Sequence, residues 1–194
     1  MSCTIIIGPM FAGKSLELLR RVDIARMLYG AEHVLVFNHA SDTRYGQNAV
    51  RTHTDRAMPC QMLRTFGEIP NAAEYADSRC IFVEEAHLWD GDLCEFLHRA
   101  VDSEGKHVTV CGLNGGYQRT CVGRLHEAIP LADEIVHLKA LCLRCRPNKC
   151  DALFTHRKVP LEDGHSLVGG AAEYESLCRR HYLRPESDLK FSAL

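Results

Sequence analysis

No run of apolar residues in this chain approaches the length of a membrane span, which predicts that no membrane is involved. The start also lacks the charged region, long apolar core and cleavage site of a secretory leader. It passes straight into a short β-branched run, Cys3-Thr4-Ile5-Ile6-Ile7. An excess of positive charge is missing as well. The formal net charge is −2 and the pI about 6.6, with no basic–aromatic alternation, so a nucleic-acid partner is disfavoured. Internal repeats and low-complexity segments are absent. What remains is a globular chain of 194 residues, 46% hydrophobic, long enough for one α/β domain and a small appendage. Cysteine is the exception to this ordinariness, with ten residues. Without a leader, they read as reduced thiols, some of them binding metal.

The stretch Gly8-Pro9-Met10-Phe11-Ala12-Gly13-Lys14-Ser15 fits the phosphate-binding pattern G-x-x-x-x-G-K-[S/T] without a mismatch. A buried strand is predicted before it. A helix is predicted after it, with Leu18, Val22, Ala25 and Tyr29 at helical spacing and Gly30 as its stop. Loop amides and the helix dipole would then face anionic phosphates. Lys14 would reach the β/γ-phosphates, and the Ser15 hydroxyl would ligate Mg²⁺.

Further along, residues 33–38, 80–83, 107–113 and 134–138 read as strands, and residues 92–101 as a helix. Strands alternating with helices predict a phosphate-loop α/β fold, a parallel sheet flanked by helices. Residues 41–59, which include Asp42 and Arg44, show no periodicity and read as a surface loop. The strand at 80–83 ends in Glu84-Glu85, where α/β sheets bind ligands. In a phosphate-loop enzyme one acid here holds Mg²⁺, and adjacent strand residues face opposite ways, so the two carboxylates are expected to have different tasks.

Cys142-x-x-Cys145 is followed some thirty residues later by Cys178-x-x-His181. Two close-spaced pairs are what a tetrahedral structural Zn²⁺ requires, and a full shell leaves no position for catalysis. Cys150 is a rival fourth ligand. The intervening segment, with His165, Ser166, Leu167, Val168 and Gly169, would be held at its base by the metal and so be ready to fold over a ligand. The expected division is residues 1–140 as the phosphate-loop domain, 141–184 as a zinc-binding lasso domain, and 185–194 as a flexible tail.

Taken together these residues resemble the type II thymidine kinases, the zinc-containing cytosolic class. The resemblance covers nearly the whole chain. It is carried by the phosphate loop, Asp42-Thr43-Arg44-Tyr45, Glu84-Glu85, Gly115-Gly116-Tyr117-Gln118-Arg119, Val168-Gly169-Gly170, Tyr174 and the two zinc pairs. It implies ATP-dependent phosphorylation of thymidine on its 5′-hydroxyl, in nucleotide salvage in the cytoplasm. It implies Glu85 as general base, Tyr117 stacking on thymine, the backbone of residues 165–169 hydrogen-bonding the base, and Tyr174 on the deoxyribose side. It also implies a homo-oligomer, a tetramer or dimer. Two departures stand out. Glu84 occupies a position that is aspartate in the family, and Leu88 one that is aromatic, with Trp89 following as a possible substitute. Arg44 and Arg119 are both candidates for added charge near the phosphates. Met10, Leu113 and Val122 are candidates for an apolar wall against the thymine methyl. The alternatives are another phosphate-loop enzyme, such as an ATPase acting on a macromolecule, and a zinc-ribbon nucleic-acid binder.

Overall fold

The computed structural model describes residues 1–42, 49–51, 57–145, 150–159 and 169–184. Arg44, His165, Ser166, Leu167, Val168 and the expected tail at 185–194 lie outside the described residues.

In chain order the elements are β1 (Ser2–Gly8), α1 (Lys14–Tyr29), β2 (Val34–His39), β3 (Ala49–Arg51), β4 (Ala57–Pro59), β5 (Gln61–Leu63), β6 (Cys80–Val83), α2 (Leu93–Leu97), β7 (His107–Leu113) and β8 (Glu134–His137). The C-terminal part adds β9 (Ala140–Leu141), β10 (Asp151–Ala152), β11 (Phe154–Arg157), β12 (Tyr174–Leu177) and α3 (Arg179–Leu183). Six strands form one sheet in the order β5-β2-β6-β7-β1-β8, and every pairing is parallel. The expected α/β class is therefore the one observed.

A parallel sheet covered on both faces needs strands that are apolar on both sides. Successive residues of β1 and β6 serve opposite faces. Ile5, Ile81 and Val83 join the layer built on Phe66, Trp89, Phe96 and Leu97. Ile6, Cys80 and Phe82 join the layer covered by α1 through Leu18, Leu19, Val22 and Ala25. The predicted apolar stripe of α1 is thus the buried one, with Tyr29 packed at its edge. Asp92 caps α2, its carboxylate accepting the Glu95 N–H at 3.0 Å.

Residues 41–59 are not wholly loop. β3 and β4 pair antiparallel there, and Val50 and Met58 sit opposite each other, 1% and 5% exposed, packed on the α1-side core. With Val50 and Met58 as the buried apolar side chains of two three-residue strands, there is no period to read, which is why the sequence gives no strand signal. β5 escapes prediction for a related reason: its three residues are all half-buried.

The C-terminal ends of β1, β2, β6 and β7 lie along one edge of the sheet and carry the phosphate loop, Asp42, Glu84-Glu85 and Asn114 respectively. Gly8 turns the chain out of β1. A Cβ there would lie 2.7 Å from the Leu138 carbonyl oxygen and 3.1 Å from the Ala12 Cβ. Gly8→Ala is expected to destabilise the fold by roughly 1–3 kcal/mol, as overpacking does. It would be read as a lower urea midpoint with unchanged slope; an unchanged midpoint would show that the β1–β8 edge yields freely.

Candidate phosphate and metal sites

The phosphate loop joins β1 directly to α1. Gly13, at φ 81°, is the N-cap of the helix, and no side chain caps it. The first helical amides are therefore left to an external acceptor, and the helix dipole favours an anion there. Gly13 and Phe11 (φ 62°) both take left-handed backbone to curl the loop. Lys14, 9% exposed, folds back and donates to the Pro9 carbonyl at 2.9 Å.

Ser15 donates its hydroxyl to Glu84 Oε1. Glu84 is 3% exposed, and its other oxygen, Oε2, is buried with no hydrogen-bond partner. Its backbone is fixed from two sides: its N–H donates to Phe37 O at 2.8 Å, and its carbonyl accepts from Trp89 Nε1 at 2.9 Å. Burial, and then the neighbouring Glu85 charge, push the Glu84 carboxyl up to about 7. A hydroxyl beside a buried carboxylate with one orphaned oxygen is a donor set that fits a hard divalent cation. The extra methylene relative to aspartate does not carry Glu84 away from Ser15.

Glu85 follows in a different conformation. It lies beyond the end of β6 at φ 51°, so the divergence of the two carboxylates comes from a left-handed turn rather than from strand alternation. It is half-buried, and its Oε2 lies 3.5 Å from His87 Nδ1. The same nitrogen accepts the Leu113 N–H at 3.3 Å. Asp42, 6% exposed, stands at the end of the neighbouring β2, accepting from Asn38 Nδ2 at 3.2 Å. Trp89 does not stand in for an aromatic at Leu88. Its ring stacks on Phe66 at 5.3 Å within the core.

Tyr117 and Tyr174, far apart in sequence, meet around Arg157. The guanidinium lies 5.6 Å from the Tyr117 ring centroid and 5.8 Å from that of Tyr174. Nε of Arg157 donates to Val159 O, while Nη1 and Nη2 are buried without a hydrogen-bond partner. Gly169 packs against Tyr174, since a Cβ there would lie 3.0 Å from the Tyr174 Cε2. Met10, Leu113 and Val122 are half-buried, not core. Arg119 lies 4.9 Å from the Tyr182 ring centroid and 5.8 Å from that of Phe154, a cation–π setting on the C-terminal hairpin. The sequence gives no sign of Arg157 or Tyr182, because a basic or aromatic residue on a short strand or helix has no motif.

Cys142, Cys145, Cys178 and His181 converge, their ligand atoms all within 4.8 Å of one another. Tetrahedral bonds of about 2.0–2.3 Å place ligand atoms roughly 3.3–3.8 Å apart. The observed separations are 3.5 Å for Cys142 Sγ to His181 Nδ1, 3.7 Å for Cys145 Sγ to Cys178 Sγ, and 3.3 Å from His181 Nδ1 to both Cys145 and Cys178. Burial alone raises the Cys178 thiol, but hydrogen bonds from the His181 backbone and ring more than reverse it, to about 6. The cluster fits a structural Zn²⁺ held by these four residues. Cys150 is exposed, with its sulfur 2.9 Å from Cys145 Sγ, beside the set rather than in it.

A phosphate loop on a parallel sheet and a buried carboxylate against its serine define a phosphate-loop α/β protein, and its Cys₃His cluster fits a structural metal. The family model described as Thymidine kinase matches residues 1–182. Thymidine kinase of Oryza sativa subsp. japonica is 40% identical over 182 residues, 92% of this chain and 65% of that protein. Thymidine kinase, cytosolic, of Homo sapiens is 36% identical over 186 residues, 94% of this chain and 74% of that one. Thymidine kinase of Myxoma virus (strain Uriarra) is 34% identical over 181 residues, 92% and 94% respectively. The chain belongs to the thymidine kinase family and is an enzyme. Among the described residues no helix is long and apolar enough to cross a membrane.

Two predictions follow from this geometry. The folded state holds the Glu84 proton more tightly than the unfolded chain does. Its contribution is therefore neutral below 4.5, turns against folding as pH rises toward about 7, and is constant above. Without added divalent cation, Glu84→Gln should match wild type at pH 4 and exceed it at pH 8, on the order of 3 kcal/mol in denaturant unfolding. A constant difference across that range would mean that the carboxyl is not raised. For the metal centre, elemental analysis should find one Zn²⁺ per chain, lost in His181→Ala and kept in Cys150→Ala. The reverse pattern would make Cys150 the fourth ligand.

Proposed function

We propose that the enzyme transfers the γ-phosphoryl group of ATP to the 5′-hydroxyl of thymidine, a salvage reaction in the cytoplasm supplying DNA precursors. The observation that carries the reading is the pairing of Ser15 with buried Glu84 at the phosphate loop, with Glu85 turned out beside it. Phosphoryl transfer needs positioning and charge neutralisation more than covalent chemistry. The loop backbone from Gly8 through Pro9, Met10, Phe11 and Ala12 to Gly13 would wrap the phosphates, with its amide donors coming from residues other than Pro9, which has no N–H, and Met10, whose N–H is held by Thr155. Lys14 would leave the Pro9 carbonyl to place its charge on them. Ser15 and Glu84 would hold Mg²⁺, which supplies charge neutralisation when bound. Glu85 would take the proton from the sugar hydroxyl as general base. Asp42 would support the phosphate side. Arg44 is the candidate left for added charge there, since Arg119 is engaged with Tyr182 and Phe154.

Tyr117 would stack on thymine, Tyr174 would face the deoxyribose, and the backbone of His165, Ser166, Leu167, Val168 and Gly169 would hold the base. The two unpartnered Nη groups of Arg157, between those tyrosines, favour a ligand bearing acceptor oxygens, as a pyrimidine does. Met10, Leu113 and Val122 would form the wall against the methyl group. Bound Zn²⁺ would be structural. An assembly of identical subunits, dimeric or tetrameric, is favoured by the apolar residues that α1 exposes, Leu16 at 47%, Ile24 at 42%, Met27 at 85% and Leu28 at 70%.

ATP turnover measured with and without thymidine tests the reading. Turnover that requires thymidine supports it. Turnover indifferent to nucleoside would make the chain another kind of phosphate-loop ATPase. Glu85→Gln should lower kcat roughly 10²–10⁴-fold with thymidine affinity within a few-fold of wild type. A kcat near wild type would remove Glu85 as the base.

A further inference from the structure

The middle of the phosphate loop is held by the hairpin of β11 and β12, which leads into the candidate metal ligands Cys178 and His181. Met10 donates its N–H to Thr155 Oγ1 at 3.1 Å, and its carbonyl accepts from the Ser176 hydroxyl. Thr155 and Ser176 are direct cross-strand partners on β11 and β12, and both are buried, 3% and 6% exposed. One rung of the hairpin therefore satisfies both hydrogen-bonding groups of a single loop residue. A second observation points the same way. Ala12 of the loop packs against the apolar cluster that contains Cys142, Cys145 and Cys178. Ser176 is two residues from Cys178, a candidate metal ligand, along the chain.

We propose that Thr155 and Ser176 are positioning residues for the phosphate loop, and that metal binding at the Cys₃His cluster organises the ATP site through them. The metal centre then serves the phosphate end of the reaction as well as the nucleoside end. This rests on the reading of residues 8–15 as the site of ATP. The mechanism is geometric. Lys14 is parked on the Pro9 carbonyl, next to the clamped residue. Releasing the Met10 peptide lets that carbonyl and the following amides rotate away from where a phosphate would sit, so binding would carry the cost of ordering the loop again.

The test uses Thr155→Val and Ser176→Ala, which remove the hydroxyls and nearly keep the shape, with Thr155→Ser and Ser176→Thr as conservative partners. Zinc content and the dissociation constant for a non-hydrolysable ATP analogue are measured without nucleoside. The expected result is full zinc content with analogue affinity weakened about 5- to 20-fold in each hydroxyl-free variant, recovered to within about threefold by the conservative ones. Zinc-stripped wild type should show a comparable loss, reversed on adding Zn²⁺. Wild-type analogue affinity in both hydroxyl-free variants would overturn the proposal. So would weakened affinity that the hydroxyl-keeping variants fail to recover. Since the readout needs no nucleoside, a wild type that binds the analogue and ignores thymidine would sink the thymidine reading while the coupling holds.

Discussion

A phosphate loop must keep its amides pointed at empty space, without a ladder of hydrogen bonds to do it. Here the contacts inside the loop between Gly8 and Lys14 include the long Ala12 N–H to Pro9 contact, 3.4 Å, and the Lys14 ammonium on the Pro9 carbonyl. Further ties come from outside. β1 and α1 fix its ends. Glu84 fixes Ser15 from the neighbouring strand end, and the Thr155–Ser176 rung fixes Met10 from the hairpin. The loop is thus a suspended segment, and its shape is set by what it is tied to.

The same dependence runs through the rest of the site. Tyr182, on the helix that begins after Cys178, donates to the Tyr117 carbonyl at 2.5 Å. Asn114, at the end of β7, donates to Leu153 O at 3.2 Å. The C-terminal part therefore touches the sheet edge at the phosphate loop, at Asn114 and at Tyr117. A small metal-held unit of this kind has too little core to order itself by burial alone. Four bonds to a bound metal would replace the missing apolar contacts, and the resulting rigidity would be passed to the main domain by hydrogen bonds to its backbone.

What the sequence makes legible follows from how strongly each feature is patterned. The phosphate loop, the buried strands and the paired metal ligands carry fixed spacings, and each lands where the pattern puts it. Glu84 and Glu85 are visible as a pair at a strand end, yet their separation arises from a left-handed residue that no periodicity announces. β3, β4 and β5 are too short to show a period. The hydroxyls of Thr155 and Ser176 are invisible in sequence, because serine and threonine are common on strands and the meaning of these two lies in a contact 145 to 166 residues away. Long-range backbone ties of this sort are settled by packing, not by local composition.

The central claim is that the metal hairpin holds the phosphate loop through Met10. Amide hydrogen exchange at Met10, compared between zinc-loaded and zinc-stripped protein, tests it most directly. The account predicts that stripping removes protection at the Met10 N–H, while Ile5 and Ile6 in the middle of β1 keep theirs. Equal protection of Met10 in both states would contradict it.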